Sequence, residues 1–522
     1  MQLISELGPL SDAEKRLVEH QSKGTRVVIG SGDLPEQGNP EVLIRADLLR
    51  ILLLRSDESI GFHPSGLRIR GAYISGQLKL QGCSVRYDVS FSSCILEKSP
   101  NLINARLRGW HLSQCHLPGF TADQAEFDGP VFLRADCVLT GEMSLPGARI
   151  HGDLQLCGVT LDPSQGAALF GNGLDVSGSV YFGNYPYAPG DSSLIATGPI
   201  FMASVSIGRD FYIQDASLTG NGDHVQGLQP DGVEGSSSTA LSLARSRIGG
   251  LLFAKSLQVT RGMLNFSGVS VNRLNDEPAV EDATYRLRLD GFEYKSFAQH
   301  TDISAKARLK WLARRPAGIA FSAQPYEHLA RIYEELGHRD DADRVRIAKE
   351  DLQRRDDISQ LMAAQAWGRA GLLTFMRLSL RYLVGYGYRP VYALIWAVLM
   401  IAGVGLFFQK TWNAGDMTPN SAPILVSANW VSATEVAPEN PGAYWSSPGQ
   451  AGQDYETFNA FAYSADLLIP IVNLGQEDAW APSTSRSWWG QQGWWLRWVS
   501  KMLGWVFTAL GAAAVTGVIR RP

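Results

Sequence analysis

QLKLQGCSVRYDVSFSSCIL, residues 77–96, holds one short pattern twice: Leu78, Leu80, Cys83 and Val85 recur eleven residues on as Val89, Phe91, Cys94 and Leu96. Further copies run through Met143, Leu145, Ala148 and Ile150 to Leu154, Leu156, Val159 and Leu161, and later through Phe211, Ile213, Ala216 and Leu218. The series Leu241, Leu243, Ser246, Ile248 leads to Leu252, Ala254, Leu257, Val259, and then with one added residue to Leu264, Phe266, Val269, Val271. Two apolar positions around one polar residue are a strand signature, and Gly or Ser at the breaks permits sharp corners. No single unit can bury its apolar face alone, so residues 61–277 read as a stack, a right-handed parallel β-solenoid.

The five cysteines, Cys83, Cys94, Cys115, Cys137 and Cys157, lie in no zinc-ligand spacing. They take positions where other copies carry Leu, Ala or Val, so they read as buried thiols rather than a redox or metal cluster. Two longer stretches, GNYPYAPGDSSLIATG and GNGDHVQGLQPDGVEGSSS, leave the coils as loops. Ahead of the first unit, the amphipathic EVLIRADLLRILLLR belongs to a capping region, 1–60, that covers the open sheet edge with Leu43, Leu48, Leu49 and Leu52 on its buried side. The start of the chain has no basic stretch followed by an apolar one, so no cleavable signal is expected and this half is expected in the cytoplasm. With 522 residues the chain exceeds one core, and a net charge of −4 does not by itself mark a nucleic-acid protein.

A helical connector, 278–356, follows. DISAKARLKWLARRP and SAQPYEHLARIYEELGHRDDADRVRIAKEDLQRRDD have helical periodicity, and the second resembles one tetratricopeptide-type hairpin through Ala330, Tyr333, Gly337 and Ala342. A single copy makes no peptide groove, so packing on the solenoid is expected instead. Lys306, Arg308, Lys310, Arg314 and Arg315, with Arg331, Arg344 and Arg346 beyond them, form a basic run able to neutralise phosphates. A solvated helical face is the alternative, and the neighbouring Asp340, Asp341 and Asp343 favour it.

VYALIWAVLMIAGVGLFF, residues 391–408, carries no charge and is long enough for a bilayer core, with Pro390 suited to its first turn. MLGWVFTALGAAAVTGVI, residues 502–519, is the second candidate span, its Ala513 and Gly517 permitting close helix approach. Arg369, Arg377, Arg381 and Arg389 precede the first span and Arg520 and Arg521 follow the second, whereas no Lys or Arg lies between Thr411 and Ser485. Both termini are therefore expected in the cytoplasm, with the chain multi-pass in the membrane. Trp488, Trp489, Trp494, Trp495 and Trp498 read as an outer aromatic belt, within which Arg497 and Lys501 break the charge rule. AWGRAGLLTFMRLSLRYLVGYGYRP, within 357–390, reads as an amphipathic helix along the inner interface.

Between the spans, NAFAYSADLLIPIVNLGQEDAW (459–480) raises a separate question. A helix from about Glu456 to Leu468 rises roughly 20 Å, short of a ~30 Å hydrocarbon core. Pro470 then forces extended chain, which a bilayer tolerates only where protein covers it or water lines it. Span, half-helix, extended loop and span make a pore domain over 391–522 with its pore helix and re-entrant loop at 456–478.

This segment resembles the two-span pore-loop cation channels, whose T-V-G-Y-G filter is partly echoed by Ile471, Val472, Asn473, Leu474 and Gly475. Asn473 stands where the first filter glycine would be, which departs from a potassium filter. Gln476, Glu477 and Asp478 follow at the expected outer mouth, where acidic rings favour cations. The resemblance implies a homotetramer. Solenoid, connector and a pore carrying FAYSADLLIPIVNLGQ together resemble a bacterial membrane-associated family, the Hailong anti-phage channel effectors, matching in architecture along the whole chain and in residues only at the pore and the solenoid pattern. That resemblance implies a channel of the bacterial inner membrane, held closed by a single-stranded oligodeoxyadenylate, made by a partner nucleotidyltransferase, and opened when the signal is lost. The basic connector is then the expected ligand site, with Trp311 or Tyr326 as stacking platforms.

Two other classes compete. A non-conducting membrane anchor presenting the solenoid to protein partners predicts that 470–476 tolerates bulky substitution. An enzyme needs a recognisable constellation, and the chain has no G-x-G-x-x-G between strand and helix, no P-loop, no HExxH and no G-x-S-x-G. His111, His116, His151 and His224 have no partner pattern, so no catalytic residue, metal or cofactor is expected.

Overall fold

The computed structural model describes residues 4–21, 23–36, 39–54, 63–187, 192–220, 239–278, 285–316, 319, 321–389 and 391–515. The chain divides into two compact units, Met1–Arg346 and Ile347–Pro522.

In the first unit, parallel strands stack as the coils of a solenoid. Leu67 pairs with Val89, Val89 with Trp110, Trp110 with Val131, and the column continues through Leu154, Val180 and Phe211 to Leu252. A second column two residues on carries Ile69, Phe91, Leu112, Leu133, Leu156, Phe182 and Ile213, and both columns are buried. Each such side chain contributes roughly 1.5–3 kcal/mol by leaving water, so the columns bind coil to coil. One coil takes two of the eleven-residue units. A parallel strand can pair only after the chain has come round a full turn, so consecutive units form different walls. Thus Met143–Ser144 lies in a seven-stranded sheet while Leu154–Leu161 lies in the twenty-stranded one. Corners use left-handed backbone at Gly158 (φ +67°), as expected of glycine, but also at Gln114 (φ 55°) and Asp136 (φ 64°), which the Gly/Ser expectation missed. Cys94, Cys115, Cys137 and Cys157 are buried free thiols and Cys83 is half-buried. Burial pushes the Cys157 thiol up to about 12.

The coils reach beyond 61–277 at both ends. Val27–Val28 pairs with Ile69–Arg70, and Leu43–Arg45 pairs with Tyr73–Ser75, so the capping region also supplies strands. Leu43 is therefore a half-buried strand residue and not part of the capping helix. Helix α1 (Asp12–Gln21) is tied in by Glu14, whose carboxylate accepts Arg45 at 2.6 Å; the helix with Leu48, Leu49 and Leu52 buried is α2 (Ala46–Leu54). At the far end Glu293–Phe297 adds a strand, and α3 (Ala305–Leu312) and α4 (Gln324–Glu335) pack on it, as expected of the connector. Helix α5 is Arg339–Ala363.

In the second unit α6 (Trp367–Val384) stops at Gly385, whose φ of +52° closes the helix in left-handed backbone. Helix α7 (Val391–Asn413) is, among the described residues, the one helix long and apolar enough to cross a membrane. Short helices α8 (Ala422–Leu425), α9 (Ala428–Val436) and α10 (Pro441–Trp445) follow, then α11 (Ala460–Leu468), α12 (Gln476–Ala479) and α13 (Trp488–Val515). Met417–Pro419 and Trp480–Pro482 pair antiparallel. Pro390, residues 55–60, the loop residues 188–191 and 221–238 with His224, and 516–521 with Gly517, Arg520 and Arg521 lie outside the described residues.

Candidate pore-loop site

The short helix begins at Ala460, not near Glu456, because Asn459 caps it: Asn459 Oδ1 accepts the N–H groups of Phe461 at 3.1 Å and Ala462 at 3.0 Å. Glu456 lies outside the helix, its carbonyl accepting Trp480 Nε1–H at 2.7 Å. Helix α11 lies wedged between α7 and α13. A Cβ on Gly405 of α7 would stand 2.6 Å from the Phe461 ring, and one on Gly504 of α13 would stand 2.6 Å from the Leu468 carbonyl oxygen. The approach to backbone at Gly504 is open only to glycine, whereas at Gly405 the Phe461 ring would have to shift. Ser464, fully buried, donates from Oγ to the Ile401 carbonyl at 2.9 Å. Phe408, Tyr463, Leu467 and Trp480 fill the core around this wedge.

Beyond Leu468 the chain turns back on the helix. Asp466, nearly buried, accepts the backbone N–H of Leu474, of Gln476 at 2.8 Å and of Glu477 at 3.2 Å, which caps α12. Gln476 is buried and ties the loop to the helix entry: Oε1 accepts the Asn459 N–H at 2.8 Å, while Nε2 donates to Glu456 Oε1 at 2.8 Å and to the Thr457 carbonyl at 2.9 Å. Asn473 Oδ1 accepts the Gly475 N–H at 2.7 Å and its Nδ2 donates to Asp478 at 3.2 Å. Gly475 has φ +78°, a conformation natural to glycine. The backbone N–H groups of 474–477 are thus spent on Asp466 of α11 and on Asn473, and the side chains of Ile471, Val472 and Leu474 are exposed.

Glu477 does not stand as a free acid at a mouth. It pairs with Arg497 at 2.8 Å and with Lys501, the two cations that broke the charge pattern of α13. A pocket of about 250 Å³ beside this pair is lined by Asp466, Pro470, Asn473, Asp478 and Trp505 among others. Asp466, Arg497 and Lys501 escaped the sequence reading as a unit. Their signal was a carboxylate in an apolar half-helix and two cations in an apolar helix, each of which needs a partner.

The connector residues do not assemble into one phosphate-binding face. Arg308 is fully buried, donating to Asp276 at 3.0 and 2.7 Å and stacking 4.4 Å from the Phe297 ring centre. Arg314 donates to the Tyr285 hydroxyl at 3.2 Å, Arg331 to His328 at 2.8 Å and Arg344 to Asp341 at 3.1 Å, while Arg346 pairs with Glu334. Arg315 lies 5.5 Å from the Phe321 ring. Lys306 and Lys310 are exposed on α3. Trp311 and Tyr326 are buried, so neither offers a face for stacking. Elsewhere Glu126, Asp128 and His151 gather with ligand atoms within 4.8 Å of one another, but Arg106 already binds Asp128 at 3.0 Å. No protein-family model, curated protein or solved structure matches this chain.

Proposed function

We propose that this chain is the subunit of an oligomeric, cation-preferring membrane channel whose conduction path runs past residues 470–478. The observation that carries the reading is the short α11 held between α7 and α13, opening into a proline-turned loop with exposed Ile471, Val472 and Leu474. Such a half-helix cannot cross a bilayer alone, and an apolar loop tip becomes covered when copies of the unit converge on a common axis. On this reading α13 is the second span, the loop is re-entrant, and Asp478 with the Asn473 amide faces the permeating ion, Glu477 being neutralised by Arg497 and Lys501. Four copies, and closure by an oligodeoxyadenylate from a partner nucleotidyltransferase, are what the family resemblance implies for the assembly. Lys306, Lys310, Arg315, Arg331 and Arg344 stand on exposed positions of the connector for such a ligand, the last two already donating to His328 and Asp341.

Ion flux into liposomes carrying the purified chain, with and without short oligodeoxyadenylates, tests both levels. Flux that oligodeoxyadenylates suppress supports the whole reading. Flux that ignores them removes the gating ligand and keeps the channel. Absence of flux under every condition favours the second reading, a non-conducting anchor, for which the self-closed loop around Asp466 speaks. On that reading Asn473→Trp leaves the protein's behaviour unchanged; in a channel it abolishes conductance.

A further inference from the structure

Around Asp351 the second unit gathers more cations than its carboxylates meet. Asp351, almost fully buried, pairs with Arg381 at 2.6 Å, Arg355 at 3.0 Å and Arg377 at 3.5 Å, and accepts the Tyr386 hydroxyl at 3.3 Å. The adjacent Glu350 pairs with Lys349 at 3.2 Å and Arg354 at 3.4 Å, and the Arg354 guanidinium lies 4.6 Å from the Tyr386 ring centre. Four arginines thus share two carboxylates, while the nearby Asp356 accepts from Gln360 at 2.9 Å. Two guanidinium nitrogens in the cluster, Arg354 Nη1 and Arg377 Nε, are buried without a hydrogen-bond partner. A charged donor left in that state is costly, and a guanidinium fork matches phosphate oxygens.

The setting narrows the class of phosphate. Leu372, Phe375, Met376 and Tyr382 expose an apolar face of α6, and Arg377 and Arg381 lie one turn apart on the opposite face. A helix of this kind rests in the plane of a membrane surface with its cations at headgroup depth. The apolar helix α7 begins a few residues later at Val391. We propose that the cluster binds the phosphate of an acidic phospholipid, which the more exposed Arg355 and Arg381 meet first and whose oxygens supply the acceptors that Arg354 Nη1 and Arg377 Nε lack once those side chains turn toward it. Asp351 orders the arginines in the meantime without neutralising them. The proposal rests on the membrane reading of this unit.

The test is a titration of the full chain in neutral detergent with dioctanoyl phosphatidylglycerol, dioctanoyl phosphatidylcholine or inorganic phosphate, following the melting midpoint. Phosphatidylglycerol is expected to raise the midpoint saturably, with no effect of the other two at equal concentration. Arg377→Gln and Arg354→Gln are expected to weaken apparent affinity by about tenfold each. Asp351→Asn removes the competing carboxylate and is expected to tighten binding, a sign that a folding defect does not produce. An equal response to phosphatidylcholine overturns the proposal. A phosphate response matching that of phosphatidylglycerol overturns the lipid assignment, and unchanged affinity in both arginine variants overturns the site. Flotation on pure phosphatidylcholine liposomes separates the two levels: a chain that does not float refutes the membrane reading, and one that floats but ignores phosphatidylglycerol refutes the site alone.

Discussion

Asp466 and Gln476 hold the loop against the helix it leaves: the Asp466 carboxylate accepts the Gln476 backbone N–H at 2.8 Å from ten residues away. Removing the acceptor orphans backbone donors in a nearly buried place, which costs about 1–3 kcal/mol. Asp466→Ala is expected to lower the melting midpoint and abolish conductance, and Asp466→Asn, which keeps one acceptor, to do so less. A midpoint for Asp466→Ala equal to that of the unaltered chain removes the carboxylate from the loop's support.

The charge at Glu477 is balanced by Arg497 and Lys501, so its loss leaves two cations beside the loop. Glu477→Gln is expected to shift the reversal potential under a salt gradient toward the anion, and Arg497→Gln to shift it toward the cation. Two variants with the reversal potential of the unaltered channel place the triad away from the ion path.

Arg308 is the clearest case of a connector residue that builds the fold. Its fully buried guanidinium depends on Asp276, and breaking one side of such a pair typically costs about 3–5 kcal/mol. Arg308→Gln and Asp276→Asn are each expected to lower the first unit's unfolding midpoint steeply, and Arg308→Met with Asp276→Leu to recover much of it. Lys306→Gln, at an exposed position, is expected to leave stability unchanged. Full stability of Arg308→Gln contradicts the structural role.

His328 makes the far end of the solenoid acid-sensitive. Burial holds it below its ordinary 6.5, and Arg331 beside Nδ1 opposes protonation further. The unfolded chain therefore binds a proton that the folded chain refuses, so this contribution is present above pH 6.5 and declines as the pH falls below it. Unfolding midpoints measured from pH 7.5 to 5 are expected to fall, with a shallower slope in His328→Gln. Identical slopes assign the acid sensitivity to other groups.

The eleven-residue pattern announced parallel strands because alternation and corner spacing are local properties, and Leu154, Leu156, Val159 and Leu161 keep their burial whatever wall they join. The number of units per coil was not legible there, since it depends on which strands meet after a full turn. The same division runs through the candidate site. Pro470 and the length of the apolar half-helix mark a helix that stops short, whereas the left-handed backbone falls at Gly475 and not at Asn473, the residue whose type suggested it.

The sequence by itself determined the solenoid-like stack, the apolar helix at Val391–Asn413 and the break after Leu468, because each follows from composition and periodicity within one segment. Only the tertiary structure decided which charges are spoken for. Arg308 is inside against Asp276, Glu477 is clamped by Arg497 and Lys501, and Asp351 holds three arginines. An ionised side chain takes its role from the partner and the water that folding brings or removes, and in Arg308's case that partner stands 32 residues away in the chain.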